Sequence, residues 1–585
     1  MTLWGPRVGP DGTVFRLWAP DRDAVTLEIA GGAAVPMTRE DGWFVARATA
    51  PAGTPYRFRF DADLAVPDPA SRLQMGGVHG WSVVVGPVPP GGRPPFVPGA
   101  LDAAGNMVAS PDWRGRPWEE AVIQEVHAGV LGGYAGVAEV LSALAELGIT
   151  AIELMPIAAF AGTRNWGYDG VLPFAPVEAY GSPHELRTLI GRAHDFGMMI
   201  LLDVVYNHFG PDGNYLGAYA GDFFHKDRDT PWGGAVAVDR PEVAAYFLEN
   251  ALMWIEDYGF DGLRFDAVHA IGNTVFLDWL ATQIRAKIAP ERHIHLILEN
   301  ESNDAARLGE GPFDAQWNDD FHNVLHVLLT GEDEGYYADF ARDTTAKLAR
   351  CLAEGFIYQG EGMSHLDDRA RGTPSAHLPP TAFVSFLQNH DQIGNRALGE
   401  RLTDLVPPER LEAATALLLL CPQIPLLFMG DETGSQAPFY FFTDFHDDLA
   451  DVVREGRRKE FAHFAAFASD DARAAIPDPN AVETFRNSPP APGADDLRWR
   501  TLYRDLLALR HTEIVPRLNG ASARGAEVLG EGAVQAAWTL GDGKVLTLAI
   551  NFGVDPVTVR DDPPLYALGP PGAPASFAAW LEDAA

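Results

Sequence analysis

The chain has 585 residues, 47% of them hydrophobic, enough for several packed domains and incompatible with intrinsic disorder. Forty-four basic against 80 acidic residues leave a net charge of −36, which repels phosphate backbones and anionic lipid surfaces. Neither nucleic acid nor a membrane is therefore an expected partner, whereas a neutral sugar approaches such a surface without penalty.

The first twenty residues, MTLWGPRVGPDGTVFRLWAP, lack a basic segment followed by an apolar run. The longest apolar run, ATALLLL before Cys421, is too short to span a bilayer, so the sequence predicts a soluble, cytoplasmic chain. Only two cysteines occur, Cys351 and Cys421, without CxxC spacing; both read as inert core thiols.

Residues 1–90 alternate apolar and polar positions in short segments (TVFRLWAP, AVTLEIAG, GWFVARATA, YRFRFDA) between DG, GG and PAG turns, the pattern of a small Ig-like (E-set) β-sandwich. Residues 91–110 are rich in Pro and Gly and read as a linker. Over 111–515, apolar strands alternate with amphipathic helices. The strands are AVIQEVH, ITAIELMPI, MMILLDVVYNH, FDGLRFDAVH, IHLILENE, GFIYQG, FVSFLQNHD and PLLFMGDE, and eight such units predict a (β/α)8 barrel, the TIM barrel of the α/β class. Its third unit carries an aromatic, Gly-rich excursion at about 209–245, the kind of insertion that usually serves function. Residues 516–585 return to alternating segments and predict a second small β-sandwich.

Reactive groups in such a barrel sit where strands end, at the C-terminal rim. Here strand three ends in Asp203, Asn207 and His208, strand four in Arg264 and Asp266, strand five in Glu299, and strand seven in His390 and Asp391. Within GLRFD, Leu263 and Phe265 share one face of an extended chain, and Arg264 and Asp266 the other. Retaining cleavage of a glycosidic bond needs a carboxylate nucleophile and a protonated carboxylic acid roughly 5–5.5 Å apart, a separation that adjacent strand ends supply. Asp266 and Glu299 fit that pair, and Arg264 would keep the aspartate ionised. Glu301 shares the parity of Glu299 and is the alternative acid.

DVVYNH, GLRFDAVH, ILENE and FLQNHDQ, in this order, resemble the four signature regions of the α-amylase superfamily of glycoside hydrolases, family 13. The resemblance implies Asp266 as nucleophile, Glu299 as general acid/base and Asp391 as transition-state stabiliser. It also implies His208, Arg264 and His390 as contacts to the sugar being attacked, and Tyr168 as its aromatic platform. Asn207 matches a position where secreted members bind calcium, but the loop after it has no cage of carboxylates, so no metal or other cofactor is expected.

The stretches 316–337, 387–403 and 441–461 resemble the trehalose-releasing branch of that superfamily. That likeness implies hydrolysis of the α-1,4 bond next to the terminal trehalose of a malto-oligosyltrehalose, with trehalose and malto-oligosaccharides as ligands. His269, Trp317, Asn318, Asp319, His322 and Asp447 are the residues expected to contact the leaving disaccharide. A branching or debranching enzyme acting at α-1,6 linkages is the alternative.

Overall fold

The computed structural model describes residues 3–86 and 113–583, except 231–232, 463 and 468. The expected 91–110 linker lies wholly outside the described residues.

Two antiparallel sheets form the N-terminal β-sandwich. One pairs Arg7–Gly9, Gly12–Trp18, Trp43–Ala48 and Thr38–Glu40 in that order; the other is built around Thr26–Ile29, Pro55–Arg59 and Trp81–Val83. Gly12–Trp18 buries alternate side chains, with Phe15 and Leu17 inside, as a two-residue period demands. The sandwich is latched to the barrel through Trp4. Its ring packs edge-on against Tyr246 at 4.9 Å, its indole N–H donates to Glu242 O at 3.2 Å, and its backbone N–H donates to Glu249 Oε2 at 3.0 Å.

Eight parallel strands close the barrel: β1 Ile123–Val126, β2 Ala151–Leu154, β3 Met199–Val204, β4 Gly262–Phe265, β5 His295–Leu298, β6 Ala315–Trp317, β7 Phe383–Ser385 and β8 Ile424–Phe428. Closure comes from β8 pairing back to β1, with Ile123 beside Leu426. Ile123, Ala151, Leu201, Ile297, Ala315, Val384 and Ile424 form one buried apolar cluster. Two residues further along their strands stand Glu125, Glu153, Asp203 and Glu299, so the strand period lifts a polar layer directly above the apolar one. Gly262 is needed where β4 squeezes between β3 and β5, because a Cβ there would lie 2.4 Å from His295 O and 2.8 Å from Leu201 Cδ2.

The eight-stranded barrel is as expected, but its sixth strand is Ala315–Trp317 and not GFIYQG. Phe356 and Ile357 of that run are buried in a loop, and the backbone N–H groups of Ile357 and Tyr358 donate to the Asp320 carboxylate at 2.7 and 3.2 Å. A side chain, not a neighbouring strand, satisfies these donors.

The C-terminal β region is a single five-stranded antiparallel sheet rather than two facing sheets: Ser522–Gly530, Ala533–Thr539, Val545–Asn551, Ser576–Glu582 and Tyr566–Leu568, in that order. Trp538, Leu546, Leu548 and Phe577 join the main hydrophobic core, and a smaller cluster of Ala549, Ala578 and Trp580 lies under Val559. Barrel helices thus take the place of a second sheet.

Candidate active site

The polar layer is organised around Arg264, which is fully buried in β4 with its guanidinium 4.2 Å above the Trp317 ring. Nη1 donates to Asp203 Oδ2 at 2.8 Å and to Asp266 Oδ1 at 2.7 Å, while Nη2 lies 3.9 Å from Glu299 Oε2. The three carboxyls come from the ends of β3, β4 and β5. The barrel ladder continues one step past its strands to set them, with Asp266 N–H donating to Val204 O at 3.1 Å and Glu299 N–H to Phe265 O at 3.0 Å.

Beyond Asp266 the chain turns sharply. Ala267 takes φ +42°, a left-handed conformation unusual for a residue with a side chain, and its N–H points at Glu299 Oε2 at 2.5 Å. One turn therefore ends β4 and fixes the neighbouring carboxyl. Asn207 holds the other side of Asp266, its amide donating to the Asp266 carbonyl and to Oδ2, both at 2.9 Å, and its Oδ1 is hydrogen-bonded by His208 Nδ1.

Burial raises the Glu299 carboxyl above its usual range; Arg264 pulls it back and Asp266 pushes it further up. Asp203 is likewise raised by burial, against Arg264, to about 7. His208 is lowered by burial. A glutamate raised by burial is suited to hold a proton for a leaving group.

Tyr168 and His390 form the wall opposite. Their rings stack at 5.2 Å, and Tyr168 Oη lies 2.7 Å from Asp203 Oδ2 and 2.9 Å from His390 Nε2. His208 Nε2 reaches the Tyr168 carbonyl at 2.9 Å. Asp391 opens the short helix His390–Gly394, with its N–H capped by Asn389 Oδ1 at 2.8 Å and its half-exposed carboxylate 3.4 Å from His390 Nε2.

Asp266, Glu299, Asp391, Arg264, Tyr168, His208 and His390 are therefore brought together at the C-terminal end of the barrel strands, with Arg264 and His390 buried behind the carboxyls. Glu301 does not share the Glu299 position. The strand ends at Leu298, parity lapses, and the half-exposed Glu301 side chain lies 3.6 Å from His269 Nε2 and 3.9 Å from His365 Nε2. Asp319 is half-buried in the first turn of helix Asp319–Thr330, where burial and then Glu299 push its carboxyl up to about 8.

Trp317, Asn318 and His322 are not on the rim, where the sequence puts them: all three are buried to within 1% of complete exclusion. Trp317 is the floor under Arg264, because it belongs to β6 rather than to a loop. The Asn318 amide donates to Gly355 O at 3.1 Å, and His322 Nδ1 reaches Leu387 O at 2.5 Å, so both fasten the scaffold. Asp447 lies exposed at the start of helix Asp447–Glu460.

Sequence reasoning passed over Glu125, whose carboxylate takes both the His390 Nδ1 proton at 2.5 Å and the His390 backbone N–H at 2.9 Å. It also passed over Glu153, fully buried with neither carboxyl oxygen hydrogen-bonded, and held well above the usual carboxyl range by burial. The two-residue offset from Ile123 and Ala151 was the available signal. Among the described residues, no group of three or more His, Cys, Asp or Glu forms a metal-holding cluster, and no helix is long and apolar enough to cross a membrane.

Comparison with known proteins identifies the family. The family described as "Alpha amylase, catalytic domain" matches residues 104–230, and a family described as a domain of unknown function (DUF3459) matches 521–579. The chain is 38% identical to the malto-oligosyltrehalose trehalohydrolase of Deinococcus radiodurans over 561 residues, 92% of this chain and 89% of that one. It is 40% identical to the enzyme of that name from Saccharolobus solfataricus over 474 residues, 78% of this chain and 80% of that one. A solved Salmonella typhimurium protein, provisionally described as an alpha amylase, superposes with a TM-score of 0.90 at 41% identity, covering 100% of both chains. The chain belongs to the malto-oligosyltrehalose trehalohydrolase family, within the α-amylase class of glycoside hydrolases.

Proposed function

We propose that this chain hydrolyses, with retention, the α-1,4 bond next to the terminal trehalose unit of a malto-oligosyltrehalose, releasing trehalose and a shortened malto-oligosaccharide. The observation that carries the chemistry is one buried guanidinium, Arg264, set between Asp266 and Glu299 at neighbouring strand ends.

Asp266, bonded to Arg264, is the nucleophile. It attacks the anomeric carbon as the proton on Glu299 passes to the departing oxygen, leaving a glycosyl ester on Asp266 and free trehalose. Glu299, now a carboxylate, takes a proton from water, and that water displaces Asp266 from the anomeric carbon with a second inversion. Asp391 receives the sugar hydroxyls whose hydrogen bonds strengthen in the oxocarbenium-like transition state, and Tyr168 supplies the ring face beneath the sugar.

Because Glu299 protonates the leaving oxygen, the disaccharide lies on its side of the cleft. Glu301, His269 and His365 stand there, with the 74%-exposed Tyr336 edge-on to His365 at 5.7 Å. Asp339 accepts from His365 Nδ1 at 2.9 Å, which turns Nε2 toward Glu301. The contacts from Glu301 to the two imidazoles are longer than direct hydrogen bonds, so these edges keep hydrogen-bonding capacity for sugar hydroxyls.

The relatives that match over most of the chain are trehalohydrolases, so the α-1,6 branching or debranching alternative is not favoured. Chromatography of the products from maltotriosyltrehalose and from maltopentaose tests the reading. Trehalose from the first, with at least tenfold slower cleavage of the second, is expected. Equal cleavage of both, or no trehalose, would return the site to amylase or α-1,6 chemistry.

A further inference from the structure

The hydrogen bonds around Arg264 continue in an unbroken chain: Asp266 to Arg264 to Asp203 to Tyr168 to His390, and from His390 to Glu125 on β1. We propose that Glu125 is a positioning residue that holds the His390 ring as an imidazolium, so that His390 fixes Tyr168 and keeps a positive charge against Asp391 during the reaction.

Both Glu125 oxygens are committed to His390, 265 positions away in the chain, and Glu125 is only 1% exposed. Its bond to Nδ1 places one proton there. The other nitrogen, Nε2, faces Tyr168 Oη at 2.9 Å, and the phenolic proton is already used on Asp203 Oδ2 at 2.7 Å. With the phenolic proton on Asp203, Nε2 donates to Oη, and its approach to Asp391 Oδ1 favours the same proton. The reverse tautomer would take the Tyr168 proton from Asp203, whose Oδ1 is already buried without a hydrogen bond. With a proton on each nitrogen, His390 is a cation, 3.4 Å from Asp391 Oδ1.

The groups around the ring agree. Glu125 faces it from β1 and His127 from just past that strand, Glu153 from β2, Tyr168 from the loop beyond, Asp203 from β3, Arg264 from β4, and Asp391 from its own helix. Burial and the Arg264 charge disfavour a second proton; Asp391 and Glu125 overcome them and bring His390 to about 9. Burial lowers His127 to about 4, so it stays neutral and adds no competing charge. Burial pushes Glu153 well above the usual carboxyl range and neither of its oxygens is hydrogen-bonded, whereas both Glu125 oxygens bond His390.

An imidazolium is present below its pKa and lost above it, so removing the Glu125 charge moves that loss to lower pH. In Glu125→Gln the His390 titration, read by nitrogen-15 NMR, should move down by at least one pH unit, with kcat below that titration within tenfold of wild type. Glu125→Asp, which restores the charge, should return the titration to the wild-type position at reduced kcat. A loss of kcat with an unmoved His390 titration would overturn the proposal and leave Glu125 a packing residue.

If the Gln variant does not fold, the wild-type enzyme decides. Nitrogen-15 NMR of histidine-labelled protein, with His390 assigned by the loss of its signal in His390→Gln, should show both nitrogens protonated through about pH 8. A neutral ring at pH 7 would overturn the proposal. The inference rests on the glycoside-hydrolase reading of the site and not on trehalose specificity. The His390 titration is read without substrate, so the two can fail separately.

Discussion

At the scale of single residues, the pairing of Arg264 with Asp266 was legible because a strand alternates and nothing but a partner justifies two charges beside Leu263 and Phe265. Removing the nucleophile should leave the fold intact, since Asp266 lies at the mouth of the barrel above a complete apolar layer. Asp266→Ala should lose at least about a hundredfold in kcat with an unchanged circular dichroism spectrum; a variant keeping more than that would pass the role to another group. Glu299 acts first as an acid, so its raised pKa sets the direction of the pH profile. Activity should fall as pH rises through a value above the ordinary glutamate range of about 4.3, and Glu299→Gln should both lose this limb and lower kcat at least about a hundredfold. A wild-type rate that climbs steadily from acid to about pH 9 would put the acid elsewhere. Not legible was the second shell. Glu125 and Glu153 look like ordinary polar positions until the register of β1 and β2 sets them side by side above Ile123 and Ala151.

At the scale of elements, seven of the eight strands announced themselves by apolar runs ending in polar residues. The sixth did not: AQW is three residues long, and the apolar GFIYQG nearby is the stronger signal. What separates them is long-range. Asp320, fully buried at the start of its helix, accepts from Arg371 Nη1 at 2.5 Å, from Asn303 Nδ2 at 2.9 Å and from the backbone of Ile357 and Tyr358. It ties the loop after β5 and the 355–371 segment to one point, and so indirectly carries His365 toward the cleft. Misplacing β6 also displaced Trp317, Asn318 and His322, which is why three expected rim residues turn out to be scaffold. Asp320→Ala leaves the Arg371 charge buried and unpaired, and should cost about 3–5 kcal/mol in denaturant unfolding. A change within about 0.5 kcal/mol would show that the loops are held by other contacts.

At the scale of the whole molecule, a β-sandwich latched through Trp4, a barrel and a C-terminal sheet seated on barrel helices present one acidic surface and one cleft. Composition pointed to a neutral ligand, but only the ordered signature regions, and then the shared guanidinium, narrowed that to a glycoside. The central claim is that Asp266 and Glu299 cut a trehalose unit from its oligosaccharide by two successive inversions. Time-resolved proton NMR of maltotriosyltrehalose hydrolysis reads product and stereochemistry together. Trehalose signals should grow in step with the α-anomer of maltotriose, before mutarotation supplies the β-anomer. A β-anomer appearing first, or maltotriose without trehalose, would contradict it.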